Sequence, residues 1–320
     1  MTENVVSEAA RVPRELMGKR LDQVAAQLFG QFSRSRLQQW IVEGALRVDD
    51  EQRQPRDKLF GGEWLRLEAR LTNAGEWQAQ EVDFAVVYED DDILVINKPV
   101  GLVVHPGSGN PDGTLLNGLL NYCPELRSVP RAGIVHRLDK DTSGVMVVAK
   151  NLIAQTALVE QLQARTVSRE YEAIARGVII SGATVDAPVG RHPSARTRMA
   201  VVAGGKPAVT HYRVATRYGH HTHLKVKLET GRTHQIRVHL SHRGYPLVGD
   251  PVYGGRSRPF AGADQELLDY LAGFQRQALH AAQLALDHPG SGELMTWSVP
   301  LPDDLLDLMQ MLERHDAPVP

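Results

Sequence analysis

Apolar residues recur at helical spacing at Leu21, Val24, Ala25 and Leu28, and again at Leu37, Trp40 and Ile41. Each set puts one apolar stripe on a short helix. Gly30 and Gly44 can stop the two helices, and Ser33 or Ser35 can cap the second. Strict alternation follows, with Leu65, Leu67 and Ala69 interleaved by Arg66 and Glu68. That pattern predicts a half-buried strand over 64–69, preceded by a shorter one over 45–48. A helix–helix–strand module therefore occupies residues 14–72. Residues 1–13 read as a flexible polar tail, and 73–82 as a linker to a larger domain over 83–320.

In that larger domain, short apolar runs predict strands at 84–88, 93–96, 133–136, 145–149, 170–174, 212–215 and 224–228. Thr114 can cap a Leu-rich helix, and Asn151 one built on Ala154, Ala157, Leu158 and Leu162. Hairpin-like spacing with few intervening helices gives an α+β class: a mixed, mostly antiparallel central sheet flanked by helices. Around Arg237 both periods fit, because Ile236, Val238 and Leu240 also alternate. A helix capped by Thr233 and stopped by Gly244 is the preferred reading.

Composition adds limits. The 320 residues are 42% hydrophobic and 23% charged with a net charge of −2, which is globular rather than disordered. The single cysteine, Cys123, excludes an intramolecular disulfide and any multi-cysteine metal centre. No apolar run suits a signal peptide or a membrane span, so a cytoplasmic protein without membrane attachment is expected. Charge is unevenly placed. From Arg191 to Arg243 eleven Lys and Arg face one acid, Glu229, and eight of the thirteen histidines lie there too. This asymmetry predicts a basic face that follows phosphates.

The candidate chemistry sits in His136-Arg137-Leu138-Asp139-Lys140-Asp141-Thr142-Ser143-Gly144, a polar insert between apolar strands. Its two carboxylates suit paired-acid glycoside chemistry; alternatively, one is held ionised by an arginine. Periodicity leaves both open. His220-His221-x-His223 and His234…His239 look rich in metal ligands, but lysines and arginines rather than carboxylates surround them in sequence, so no metal site is expected. Gly107-Ser108-Gly109 lacks the strand–loop–helix context and following Lys of a nucleotide loop.

His-Arg-Leu-Asp followed by Thr-Ser-Gly resembles the catalytic motif of the RluA-type pseudouridine synthases. Three further blocks resemble that family in the same order: Asp92-Ile93-Leu94-Val95-Ile96-Asn97-Lys98-Pro99-Val100-Gly101-Leu102, then Arg169-Glu170-Tyr171-Glu172-Ala173, then Gly231 to Leu240 with Gly249-Asp250 and Tyr253-Gly254. In the N-terminal module, Arg20-Leu21-Asp22 and Ser33-Arg34-Ser35 resemble the S4 RNA-binding domain. The resemblance implies that Asp139 is the essential catalytic residue, joined by Tyr171 and by Arg237 as its ion-pair partner. It leaves Asp141 as a supporting acid. Arg137 is expected to enter the space left by a flipped base, with His136 beside it against the substrate. Arg20, Ser33, Arg34, Ser35, Arg36, Lys58 and Arg232 are the expected RNA contacts. Val104-His105-Pro106-Gly107, Arg191-His192-Pro193 and the Gly205–Tyr212 block narrow the resemblance to enzymes acting on 23S ribosomal RNA, in the large subunit or its precursor. Isomerisation of uridine involves no redox change or phosphoryl transfer, so no cofactor or metal is implied, and no obligate protein partner.

Overall fold

The computed structural model describes residues 5–30, 32, 34–70, 77–107, 109–195, 197–255, 260 and 263–316; the side chains of 5, 34–36 and 70 lie outside that description. The chain divides into two compact units, Met1–Glu76 and Trp77–Pro320.

The first unit contains β1 (Val5–Arg11), α1 (Leu21–Leu28), α2 (Arg34–Glu43), β2 (Leu46–Val48) and β3 (Trp64–Arg70). Its sheet has the order β1-β3-β2. Leu21, Val24 and Ala25 of α1 and Leu37, Trp40 and Ile41 of α2 are buried against Leu65, Leu67 and Ala69 of β3, as the two periodicities require. The expected tail is corrected here. Val5–Arg11 is a strand paired antiparallel with all of β3, because β3 has an edge whose backbone groups need partners. The sequence hides it because Glu8 stands on the same half-buried face between Val6 and Ala10, which pack against the core, so no run of alternating apolar residues marks the strand.

The second unit begins earlier than the expected linker allows. Trp77, Ala79 and Val82 pack on the large core, while 73–76 lie outside the described residues. Its elements are β4 (Ala85–Glu89), β5 (Ile93–Lys98), α3 (Leu115–Tyr122), β6 (Ser143–Ala149), α4 (Leu152–Ala164), β7 (Ser168–Arg176), β8 (Ala183–Asp186), β9 (Val189–Arg191), β10 (Met199–Val201), β11 (Val209–Arg217), β12 (His221–Leu228), α5 (Gln235–His242), α6 (Gln265–Gly273), β13 (Leu279–Asp287), β14 (Leu294–Ser298) and α7 (Asp303–His315). Eight strands run in the order β4-β5-β6-β13-β7-β12-β11-β8, with β14 also on β13. Every pairing is antiparallel except β6 with β13. Each residue of β6 is buried, so this strand is covered on both faces.

The central strand β13 is shared. Its start pairs with β6 at His280–Ser143 and Ala281–Gly144, and its later residues pair with β14. Gly144 has φ +121°, and a Cβ there would stand 2.2 Å from the carbonyl oxygen of Ala281. Only glycine lets the two strands meet, which gives the Thr-Ser-Gly triplet a physical reason. The expected strand at 133–136 is absent. Pro130 opens a 3-10 turn over Pro130–Gly133 in which Arg131 and Ala132 have positive φ, and only Ile134 forms a bridge, to Val148.

Candidate active site

Asp139 follows that turn and is fixed through its neighbours. Its carbonyl accepts from the N–H of Thr142 at 3.1 Å. The Thr142 hydroxyl accepts from Gln277 at 3.0 Å, and the Ser143 hydroxyl bonds His280 Nδ1 at 2.9 Å. On the other side, Lys140 O accepts from Gly101 N–H and from Lys98 Nζ, each at 3.0 Å. Lys98 also donates to the carbonyls of Pro99 and Leu102, so three acceptors meet the three donors of its ammonium. Burial draws its pKa down to about 7, against the opposing charges of Asp141 and Asp139. The loop is thus clamped from both ends, and Asp139 alone of its two acids lines a cavity of about 550 Å³. Asp141 lies outside that lining.

Arg237 reaches the same cavity from α5. Its Nη1 donates to Asp139 Oδ2 at 2.9 Å, while Nε and Nη2 grip Asp250 at 2.7 and 2.9 Å. Asp139 and Arg237 stand 98 positions apart in sequence, and the sheet brings them to charge-assisted hydrogen-bond distance. Burial works against the guanidinium charge, but Asp250 and then Asp139 hold its pKa above the ordinary arginine value. Gln235 anchors the start of α5, accepting from Thr230 and Arg232 and donating to Val209 and Thr210. The expected Thr233 cap is corrected: His234 holds the capping position at φ +57°, with no side-chain cap bond. That left-handed residue carries its ring to 3.9 Å from Asp139 Oδ1 and 2.8 Å from the Tyr253 hydroxyl. Burial lowers the His234 pKa despite Asp139, so Arg237 supplies the countercharge.

Tyr171 enters from β7, 7% exposed and lining the cavity. Burial first, then Asp139, raises its phenol pKa, with Arg169 opposing; the group is a protonated phenol at neutral pH. His136 lines the cavity too, and its Nε2 accepts the N–H of Val147 at 3.0 Å. Burial, then Arg169, pushes its pKa down to about 3, so it is a neutral wall. Arg137 is exposed at the cavity edge. Arg232 lines it as well, donating to Pro207 O at 3.1 Å.

The basic stretch does not form one face. Tyr171 pairs with Val226, which pairs with Tyr212, whereas Glu172 pairs with Lys225, which pairs with Arg213. Directly paired residues share a sheet face, so these two cations point away from the Tyr171 side and lie beside an acid. The histidines find carboxylates that are remote in sequence: His220 and His221 bond Asp316, and His223 bonds Glu172. In the first unit, Arg20 binds the buried Asp22 through Nε and Nη2 at 3.0 and 2.9 Å, so it is partly spent on structure. Lys58 is exposed. Ser33 and the side chains of Arg34, Ser35 and Arg36 lie outside the described residues.

Two family models match the chain: RNA pseudouridylate synthase over residues 92–242 and the S4 domain over 19–65. The chain is 60% identical over 311 residues to ribosomal large subunit pseudouridine synthase D of Pseudomonas aeruginosa, covering 97% of each protein. The chain belongs to the RNA pseudouridylate synthase family. It is 52% identical to the protein of the same name from Escherichia coli K12, over 96% of this chain and 94% of that one. Among solved structures, human RNA pseudouridylate synthase domain containing 4 superposes with a TM-score of 0.57 at 27% identity, covering 73% of this chain and 95% of that one. As a pseudouridine synthase the chain is an isomerase with an N-terminal S4 domain. Among the described residues no helix is long and apolar enough to cross a membrane.

In the sequence Lys98, Asp250 and Tyr253 stand inside the motif blocks with no role marked for their side chains, and His234 reads only as a metal-ligand candidate. A signal existed for Arg169: two positions before Tyr171 on a strand places it on the same face.

Proposed function

We propose that this synthase isomerises uridine in 23S ribosomal RNA, at the three uridines of the helix 69 stem-loop, with Asp139 as the essential carboxylate. The observation that carries the reading is the Asp139–Arg237 bond at 2.9 Å on the wall of a cavity that Tyr171 also lines. A flipped uridine fits such a pocket, and an ionised carboxylate beside C1′ is the minimum part needed to open the C1′–N1 bond. Asp139 acts at the ribose, either on C1′ itself or on a ribose proton. The freed base turns and C5 joins C1′, which releases Asp139 from C1′ or returns the ribose proton it took. C5 then loses its proton and N1 gains one, so the product is an isomer of uridine. Tyr171 stacks on the uracil, and Arg137 at the cavity edge fills the gap left in the RNA. Arg20, Arg34, Arg36 and Lys58 of the S4 domain, and Arg232 beside the cavity, follow the phosphates. The names of the 60% and 52% identical relatives support the large-subunit substrate.

The test maps pseudouridine across ribosomal RNA from cells lacking this protein. Loss confined to helix 69, restored by the intact chain and not by Asp139→Asn, is expected. If helix 69 kept its pseudouridines, the substrate assignment would be wrong.

A further inference from the structure

Arg169 lies on β7 two residues before Tyr171, so both side chains leave the same face of the strand, about 7 Å apart along it. Both line the cavity. Arg169 is 7% exposed, yet it makes no ion pair among the described residues. Its Nη2 donates to the backbone oxygen of Glu229 at 3.1 Å, and its Nε is buried with no partner. The Glu229 carboxylate is engaged elsewhere, by His211 at 2.8 Å and Arg165 at 3.3 Å. Room for the guanidinium is built in: a Cβ on Gly231 would stand 2.8 Å from Arg169 Nη1. A buried cation with an unused donor is costly until an anion arrives. Arg137, Arg165 and Arg232, which also line the cavity, make that arriving group negative.

We propose that Arg169 anchors a phosphodiester of the bound RNA, the one adjoining the uridine held against Tyr171. This rests on reading the cavity as the uridine site. A uracil carbonyl would satisfy Nε but leave the charge unmatched, whereas a phosphate answers both through the guanidinium fork. Arg169 would then set how far the nucleotide enters, and Asp139 would meet C1′ only when that phosphate is seated.

The test uses the full chain and a helix 69 RNA in which single linkages on either side of a target uridine are replaced by uncharged methylphosphonates. Binding and single-turnover conversion are both read. In the wild type, one linkage should cost about 10- to 100-fold in affinity. Arg169→Gln should lose a similar factor on unmodified RNA and be indifferent to that linkage, and Arg169→Lys should recover part of the loss. Losses that multiply in Arg169→Gln would overturn the site. So would a wild type indifferent to every adjoining linkage, a result that needs no variant to fold. Wild-type conversion of the unmodified RNA is followed in parallel. Its absence would overturn the ribosomal reading and the site with it, whereas conversion without coupling would remove the phosphate site alone.

Discussion

Arg237 serves two carboxylates, and the turns that present them differ in nearly every physical respect. Asp250 has a fully buried side chain. Its two oxygens take Nε and Nη2 of Arg237, and Oδ1 also accepts the N–H groups of Val252 and Tyr253 at 2.9 Å. Burial opposes its charge, but these donors hold its pKa below the usual aspartate value. The Asp139 side chain is 18% exposed and receives one hydrogen bond from the same guanidinium. Among the described residues its other oxygen has only His234, at 3.9 Å. One cation thus supports a saturated acid and an unsaturated one. The saturated acid fixes Arg237; the unsaturated acid keeps lone pairs for a substrate.

The sharpest way to break this contrast is to neutralise each acid in turn. Asp139→Asn should cut single-turnover isomerisation by about 10⁴-fold or more, roughly 5.4 kcal/mol at 1.36 kcal/mol per decade. RNA affinity should stay within about threefold, and urea stability should hold. A residual rate above about one per cent would place the chemistry elsewhere. Asp250→Ala should instead strike the fold, costing about 3–5 kcal/mol in urea denaturation because it strands a buried guanidinium. The double variant Arg237→Met, Asp250→Leu should recover most of that stability and none of the activity. A single-variant cost under about 1 kcal/mol would show that Asp250 is not structural.

The same contrast explains what was legible in the sequence. Elements with one buried face announced themselves: α1, α2 and β3 follow their periods because each has a core side and a wet side. β13 did not, although it is the middle of the sheet. Buried on both faces for part of its length, Leu279-His280-Ala281-Ala282-Gln283 carries no alternation, and its His280 and Gln283 bond Ser143 and Ser298. β1 failed for a different reason: on this edge strand Glu8 interrupts the half-buried face of Val6 and Ala10, so its apolar residues do not alternate. In the site, Asp139, Tyr171 and Arg237 were named through motif resemblance, since no local pattern separated Asp139 from Asp141. Asp250 and His234 owe their roles to partners on other segments, Arg237 and Asp139 respectively, and only the assembled sheet shows them.

A pH experiment sharpens the Asp139 side. His105 lines the cavity with a buried Nδ1 that has no partner. Burial first, then Arg131 and Arg137, pushes its pKa from 6.5 down to about 4. Between those values the unfolded chain holds the extra proton, so stability rises with pH across the window and is lost as acid is added. Urea midpoints measured from pH 7 to pH 4 should fall steadily in the wild type and less steeply in His105→Gln. Parallel curves for the two proteins would mean that this ring is not held neutral.

The smallest expected effect falls on Tyr253, which touches both sides. Its hydroxyl accepts Met199 N–H at 2.9 Å and bonds His234 Nδ1 at 2.8 Å, and its ring centroid lies 5.1 Å from Arg237 Cζ. Tyr253→Phe keeps the ring against the guanidinium and removes only the hydroxyl. About 1 kcal/mol of stability should go, with single-turnover conversion changed by less than about threefold. Tyr253→Ala removes the cation–π contact as well, worth a further ~0.5–2 kcal/mol, and should loosen Arg237. The pair distinguishes a scaffold from a relay. If Tyr253→Phe slowed the chemical step tenfold at unchanged stability, the orientation of the His234 ring beside Asp139 would carry catalytic weight. The boundary between the two acids would then run through Tyr253 rather than through Arg237.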